Sequence, residues 1–158
     1  MTTLQELGDR LAIRDLIERY AVSVTRRNWG DLAACFHPQG SWRVLSPEHP
    51  DFELFFSTPQ GIGEGIGAIV DQADFNVQMT HSAVIDDLTA DRARASVIMN
   101  EMGRTSANKA GFSLWGVYSD VITQVDGRWK FETRVFRPFY LDTTWLPGQV
   151  MVDYAAKP

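Results

Sequence analysis

The sequence predicts an α+β domain. Three observations carry that reading: an apolar stripe of helical period near the N-terminus, a series of long strand-like segments from residue 77 onward, and an Asp126-Gly127 pair between the last two of them. Helices followed by consecutive antiparallel strands are the segregated pattern of α+β folds.

The stripe is formed by Leu4, Leu7, Leu11, Leu16, Ile17, Tyr20, Ala21 and Val24, which recur at steps of three and four. Thr3 and Glu6 match a capping box at its start. Asn28 and Gly30 interrupt the pattern, and a second helix is expected from Asp31, as its cap, to about residue 38. Residues 41–45 read as a strand. Residues 46–60 hold Pro47, Pro50 and Pro59 and read as a loop. The same stretch carries Phe52, Phe55 and Phe56, which suits either a lid or core packing of an irregular segment. Residues 64–73 are expected to be helical, with Gly65 and Gly67 making a flexible start. The alternating glycines at 61, 63, 65 and 67 do not have the dinucleotide-binding spacing. Strands are expected at 77–86, 92–104, 111–124 and 128–140. Asp91 turns the chain between the first two, and Asp126-Gly127 closes a tight hairpin between the last two.

Composition narrows the function classes. The chain has 158 residues, 44% of them apolar, which is enough for one domain with its own core. A single domain over 1–158 is expected, with no internal linker. The net charge of -5 and pI near 5.1 offer no basic footprint for nucleic acid. Cys35 is the only cysteine, so no internal disulfide forms, and its apolar neighbours suit a small buried hydrophobe. The Met-Thr-Thr-Leu-Gln-Glu start lacks a signal pattern, and no apolar run reaches the ~20 residues of a membrane span. A cytoplasmic location away from membranes is expected. His37, His49 and His81 lack metal-ligand spacing, and no nucleophile elbow or P-loop occurs.

His81 is the sharpest chemical signal. Strict alternation puts Met79, His81, Ala83 and Ile85 on one face, which is otherwise apolar. Such a histidine is either bonded to a backbone carbonyl in the core or a general base. Tyr20 on the helical stripe has an apolar body and a hydroxyl that needs a polar rim. Arg134 lies between aromatic positions of the last strand. It can hold a substrate oxygen or pair with Glu101, Glu132 or Asp120. Glu101 shares strand parity with Val97 and Met99, so it is expected inside, where it could orient His81. The abundant aromatic residues suit the wall of a flat hydrophobic pocket.

Four segments carry a resemblance: Ala-Ile-Arg-Asp-Leu-Ile-Glu-Arg-Tyr (12–20), Trp-Gly-Asp-Leu-Ala-Ala-Cys-Phe (29–36), Thr-His-Ser-Ala-Val-Ile (80–85) and Asp-Gly-Arg-Trp-Lys-Phe (126–131). In order and spacing the chain resembles the SnoaL-like branch of the nuclear transport factor 2 superfamily, from about residue 4 to 141. That branch includes scytalone dehydratase, hexachlorocyclohexane dehydrochlorinase, bile acid 7α-dehydratase, ketosteroid isomerases, polyketide cyclases and lignin-dimer formaldehyde lyases. The resemblance implies a cone, in which a curved antiparallel sheet wraps around N-terminal helices and a central pocket. It implies cofactor-free chemistry without a metal, in which a base moves a proton while a leaving group departs or a double bond shifts. His81 matches the usual base, Tyr20 a recurrent tyrosine, Trp42 a pocket tryptophan and Arg134 a pocket arginine. The aspartate that orients the base falls on Thr25 here. Threonine can hold an imidazole's tautomer weakly and cannot stabilise its cation.

The expected catalytic set is therefore His81, Tyr20 and Arg134. The expected substrate wall is Thr25, Trp42, Phe55, Phe56, Met99, Glu101, Trp115 and Phe136. The reading that follows is a lyase acting by elimination, dehydration or deformylation on a hydrophobic aromatic or alicyclic small molecule, such as a lignin-derived dimer. A 4-hydroxyphenyl ring that forms a quinone methide supplies its own electronic push, which suits a site lacking the aspartate. The alternatives are an isomerase of a steroid-like or polyketide substrate and a noncatalytic binding module. A homodimer or homotrimer is expected. The apolar tail at 142–158, with Trp145, Leu146, Val150, Met151, Val152 and Tyr154, is expected to cover the pocket mouth or a subunit interface.

Overall fold

The computed structural model describes residues 3–151. The stripe forms α1 (Leu4–Arg26), and Glu6 N–H donates to the capping Thr3 Oγ1 at 3.1 Å. Ile13, Leu16, Ile17, Tyr20 and Val24 are buried along one side. Each such side chain contributes about 1.5–3 kcal/mol by leaving water. Leu4, Leu7 and Leu11 stay exposed, so the first turns of the stripe are not core. Trp129 Nε1 donates to Asp9 Oδ1 at 3.0 Å and fixes this helix to the last hairpin. In α2 (Trp29–Ala34) the cap is Asn28 rather than Asp31, whose own N–H donates to Asn28 Oδ1 at 3.3 Å.

β1 (Phe36–Val44) starts before residue 41. It crosses Pro38 through an irregularity between Phe36 and Ser41, where the ring's missing N–H is tolerated. The expected loop contains a short 3-10 turn and β2 (Leu54–Ser57), which pairs with β1. α3 (Pro59–Val70) also starts early. Pro59 suits the first helical turn, and Thr58 Oγ1 accepts the Gly61 N–H at 3.2 Å.

The glycines of α3 serve close approach rather than flexibility. A Cβ on Gly65 would lie 2.6 Å from carbons of the Phe56 ring. That ring stacks on Trp42, with centroids 5.6 Å apart and planes 12° from parallel. Gly65→Ala is expected to lower the unfolding free energy by about 1–3 kcal/mol through overpacking, read from the urea midpoint.

The remaining strands are β3 (Ala73–Leu88), β4 (Arg92–Thr105), β5 (Gly111–Val125) and β6 (Arg128–Asp142). The six strands run in the order β2-β1-β6-β5-β4-β3. The sheet is not purely antiparallel, because β1 lies parallel to β6. Asp126 and Gly127 have φ values of 50° and 73°, the left-handed pair that a tight hairpin needs. The sheet curves without closing, and α1 packs on its inner side against β3. Beyond β6 the tail returns to the β4–β5 end of the sheet, where Arg104 Nη1 donates to the carbonyls of Leu146 at 3.3 Å and Gly148 at 2.9 Å. Trp145 is exposed. Val152 and Tyr154 lie outside the described residues.

Candidate active site

Strand register decides which side chains meet. Across β3, β4 and β5 the inward rows are Gln78–Glu101–Leu114, Thr80–Met99–Gly116 and Ala83–Val97–Tyr118. β6 adds Phe131, Arg134 and Phe136, and β1 adds Trp42. A register shift in β3 between Thr80 and Ala83 passes through His81 and Ser82. It separates the residues that strict alternation groups together. Ala83 and Ile85 pair with inward Val97 and Ala95, whereas Met79 pairs with outward Asn100.

The inward orientation expected of His81 is therefore not found. His81 is exposed on the opposite side of the sheet, and its ring stacks on Trp115 at 5.0 Å and 15°. Trp115 shares that outer side, so it does not line the interior with the others. Glu101 faces inward as expected but does not meet His81. The strand residue that faces the helix end is Gln78, whose backbone N–H donates to Thr25 Oγ1 at 3.0 Å. Phe55 is 56% exposed and lies under the Arg43 guanidinium, 5.4 Å from its centre, so it is not part of the inner wall. Trp42, Phe56, Met99 and Phe136 do pack in or against the core.

The interior holds a polar cluster. Tyr20 and Tyr118 hydroxyls are 3.4 Å apart, and Trp42 Nε1 donates to Tyr118 Oη at 3.3 Å. Burial raises both tyrosines: Tyr20 well above its ordinary value, and Tyr118 against the opposing charge of Arg134. Both hydroxyls are therefore neutral donors at physiological pH. Arg134 is 1% exposed, with its guanidinium carbon 3.9 Å from the Tyr118 ring centre, 4.2 Å from Tyr20 and 4.3 Å from Phe131. Its ion partner is Asp120, at 3.6 Å from Nε. Glu132 instead pairs with Arg92, at 3.1 Å. Burial lifts the Asp120 carboxyl to about 6 despite the attraction of Arg134.

A second group adjoins it. Gln78 Nε2 donates to Glu101 Oε2 at 3.3 Å, and burial raises the Glu101 carboxyl while Gln78 and Asn76 oppose the rise. Sequence reasoning missed Gln78, Asn76 and the role of Tyr118. Asn76, Gln78 and Thr80 do alternate, but as polar residues they read as a solvent face. Cys35 is buried, and burial pushes its thiol up to about 11, so it is no nucleophile. Two surface recesses, of about 430 and 540 Å³, open elsewhere, the first beside His37 and Arg92 and the second beside Arg19 and Lys130.

A family model described as a SnoaL-like domain matches residues 5–135. The chain belongs to the SnoaL-like family. No curated protein matches the sequence. Among solved structures, LinA is 20% identical with a TM-score of 0.81, over 97% of this chain and 99% of that one. The hexachlorocyclohexane dehydrochlorinase LinA-type3 of Novosphingobium barchaimii LL02 is 22% identical with a TM-score of 0.79, over 95% and 98%. A scytalone dehydratase-like protein of Novosphingobium aromaticivorans DSM 12444 is 19% identical with a TM-score of 0.77, over 90% and 92%. These likenesses show the fold. No helix among the described residues of this SnoaL-like chain is long and apolar enough to cross a membrane.

Proposed function

We propose that this SnoaL-like protein is a cofactor-independent lyase that moves a proton within the interior of the cone, on a hydrophobic aromatic or alicyclic small molecule. The observation that carries the reading is the cluster of Tyr20, Tyr118 and Trp42 with the half-buried Glu101 carboxyl, whose charge both tyrosines feel. Neutral hydroxyls set side by side in a water-poor interior can stabilise negative charge as it develops on a substrate oxygen or leaving group. The names of the structural neighbours, a dehydrochlorinase and a scytalone dehydratase-like protein, support elimination as the reaction class. A lignin-type dimer with a 4-hydroxyphenyl ring fits the aromatic walls and the loss of the helix-end aspartate at Thr25. Exposed Val84, Ile98 and Tyr140 on the outer side of the sheet suit a homo-oligomer.

The test is turnover of a panel: hexachlorocyclohexane followed by chloride release, scytalone by dehydration, a hydroxymethyl-bearing lignin-type dimer by formaldehyde release, and a Δ5-3-ketosteroid by conjugation. At least one is expected to react, and Tyr118→Phe is expected to lower its kcat by about 100-fold. Binding of panel members with no conversion would favour the noncatalytic module, and conversion of the ketosteroid alone would favour the isomerase.

A further inference from the structure

Glu101 lies on the inward side of β4, directly opposite Gln78 of β3. One Gln78 amide donor is used on the Glu101 carboxylate, at 3.3 Å. Gln78 is 7% exposed, and its Oε1 is buried with no hydrogen-bond partner among the described residues. A buried acceptor without a donor is left desolvated and uncompensated, and a bound molecule carrying an O–H or N–H recovers that cost. Asp120, a second acid on the inward side of the sheet, is paired with Arg134. Among the described residues Glu101 has no cationic partner, and its neighbours are the amides of Gln78 and Asn76. Its charge is felt by Tyr20 on α1 and Tyr118 on β5, so these groups share one region.

Resting on the proton-transfer reading above, we infer that Glu101 is the catalytic base of the interior, and that Gln78 Oε1 holds a hydroxyl or N–H of the substrate. The substrate class is a hydrophobic molecule with a hydrogen-bond donor close to an acidic C–H. In an elimination, a Glu101 oxygen takes the proton and the C–H electron pair becomes the new π bond. The leaving group departs with its own bonding pair toward the tyrosine hydroxyls. When hydroxide leaves, the proton on Glu101 is returned to it, giving water and regenerating the carboxylate. A glutamate desolvated in this way is a stronger base toward carbon than one in water.

The test uses 5-nitrobenzisoxazole, whose ring opens when a base removes its C3 proton and the N–O bond breaks, releasing coloured 2-cyano-4-nitrophenolate. The wild-type protein is expected to open it with a rate that rises with pH through one ionisation above the ordinary glutamate range. Glu101→Gln is expected to lose about 100- to 10,000-fold in kcat/KM, with unfolding temperature and circular dichroism retained. Glu101→Asp, a second variant in case the first fails to fold, is expected to keep part of the rate. His81→Ala is expected to match wild type. A folded Glu101→Gln at the wild-type rate, or a rate that disappears with His81→Ala, overturns the assignment of the base alone. A wild-type protein inert toward this probe and the whole panel overturns the proton-transfer reading, and the base with it.

Discussion

Arg134→Ala is expected to lower the unfolding free energy by about 3–5 kcal/mol at pH 8, measured by urea denaturation. Arg134 is 1% exposed, and its cation is balanced by Asp120 and by the faces of Tyr20, Tyr118 and Phe131. Truncation leaves the Asp120 carboxylate buried without a cation, and it also removes the side chain that these rings pack around. The loss should be smaller at pH 5, where Asp120 holds a proton and needs no partner. The double variant Arg134→Met, Asp120→Leu should recover most of the stability, because well-packed apolar residues replace a buried ion pair at little cost. A loss under about 1 kcal/mol for the single variant would mean that water reaches the pair.

The second large effect is the pH dependence that Asp120 imposes. Its carboxyl is raised from the ordinary 3.8 to about 6, chiefly by burial. The folded state thus binds this proton more tightly than the unfolded chain does. The stabilisation is complete below about pH 4 and disappears as the pH rises through 6. Its size is up to about 3 kcal/mol, at roughly 1.36 kcal/mol per unit. Asp74 and Asp142 are lowered instead, by Lys109 and Thr144 respectively, and act in the opposite sense from the surface. The clean measurement is therefore the difference between wild type and Asp120→Asn. The variant should gain on the wild type as the pH rises from about 4 to 7. A difference independent of pH would show that Asp120 stays ionised throughout.

Much of the fold was legible because its signals are local. The α1 helix, the Thr3 cap and the Asp126-Gly127 turn each specify structure within a few residues and are found in place, although the stripe's first three leucines stay exposed and the Glu6 carboxylate pairs with Arg10. The parallel pairing of β1 with β6 was not legible, since it joins residues far apart in the chain. The short strand β2 was hidden among prolines, where turn chemistry outweighed its phenylalanines. In the candidate site, Tyr20 follows from the helical stripe and Met99 from strand parity, Arg134 and Phe136 stand out as an arginine among aromatics, and Trp42 came with the family resemblance. His81 does not, because one register shift in β3 moves it to the other side of the sheet. The same shift conceals Gln78, a polar residue whose buried position only the pairing with Glu101 reveals. An aspartate at position 25 would have pointed to a basic partner on β3. Thr25 instead accepts a backbone N–H and carries no such message.

The most direct test of an interior site is where a hydrophobic ligand binds. Trp42 donates its indole N–H to Tyr118 inside the cone, whereas Trp115 stacks on His81 outside it. The indole N–H resonances, assigned by single Trp→Phe substitutions, can be followed while 4-ethylphenol is titrated into the protein. The Trp42 signal is expected to shift saturably with that of Trp115 unchanged. A saturable shift of Trp115 with Trp42 silent would contradict the interior site.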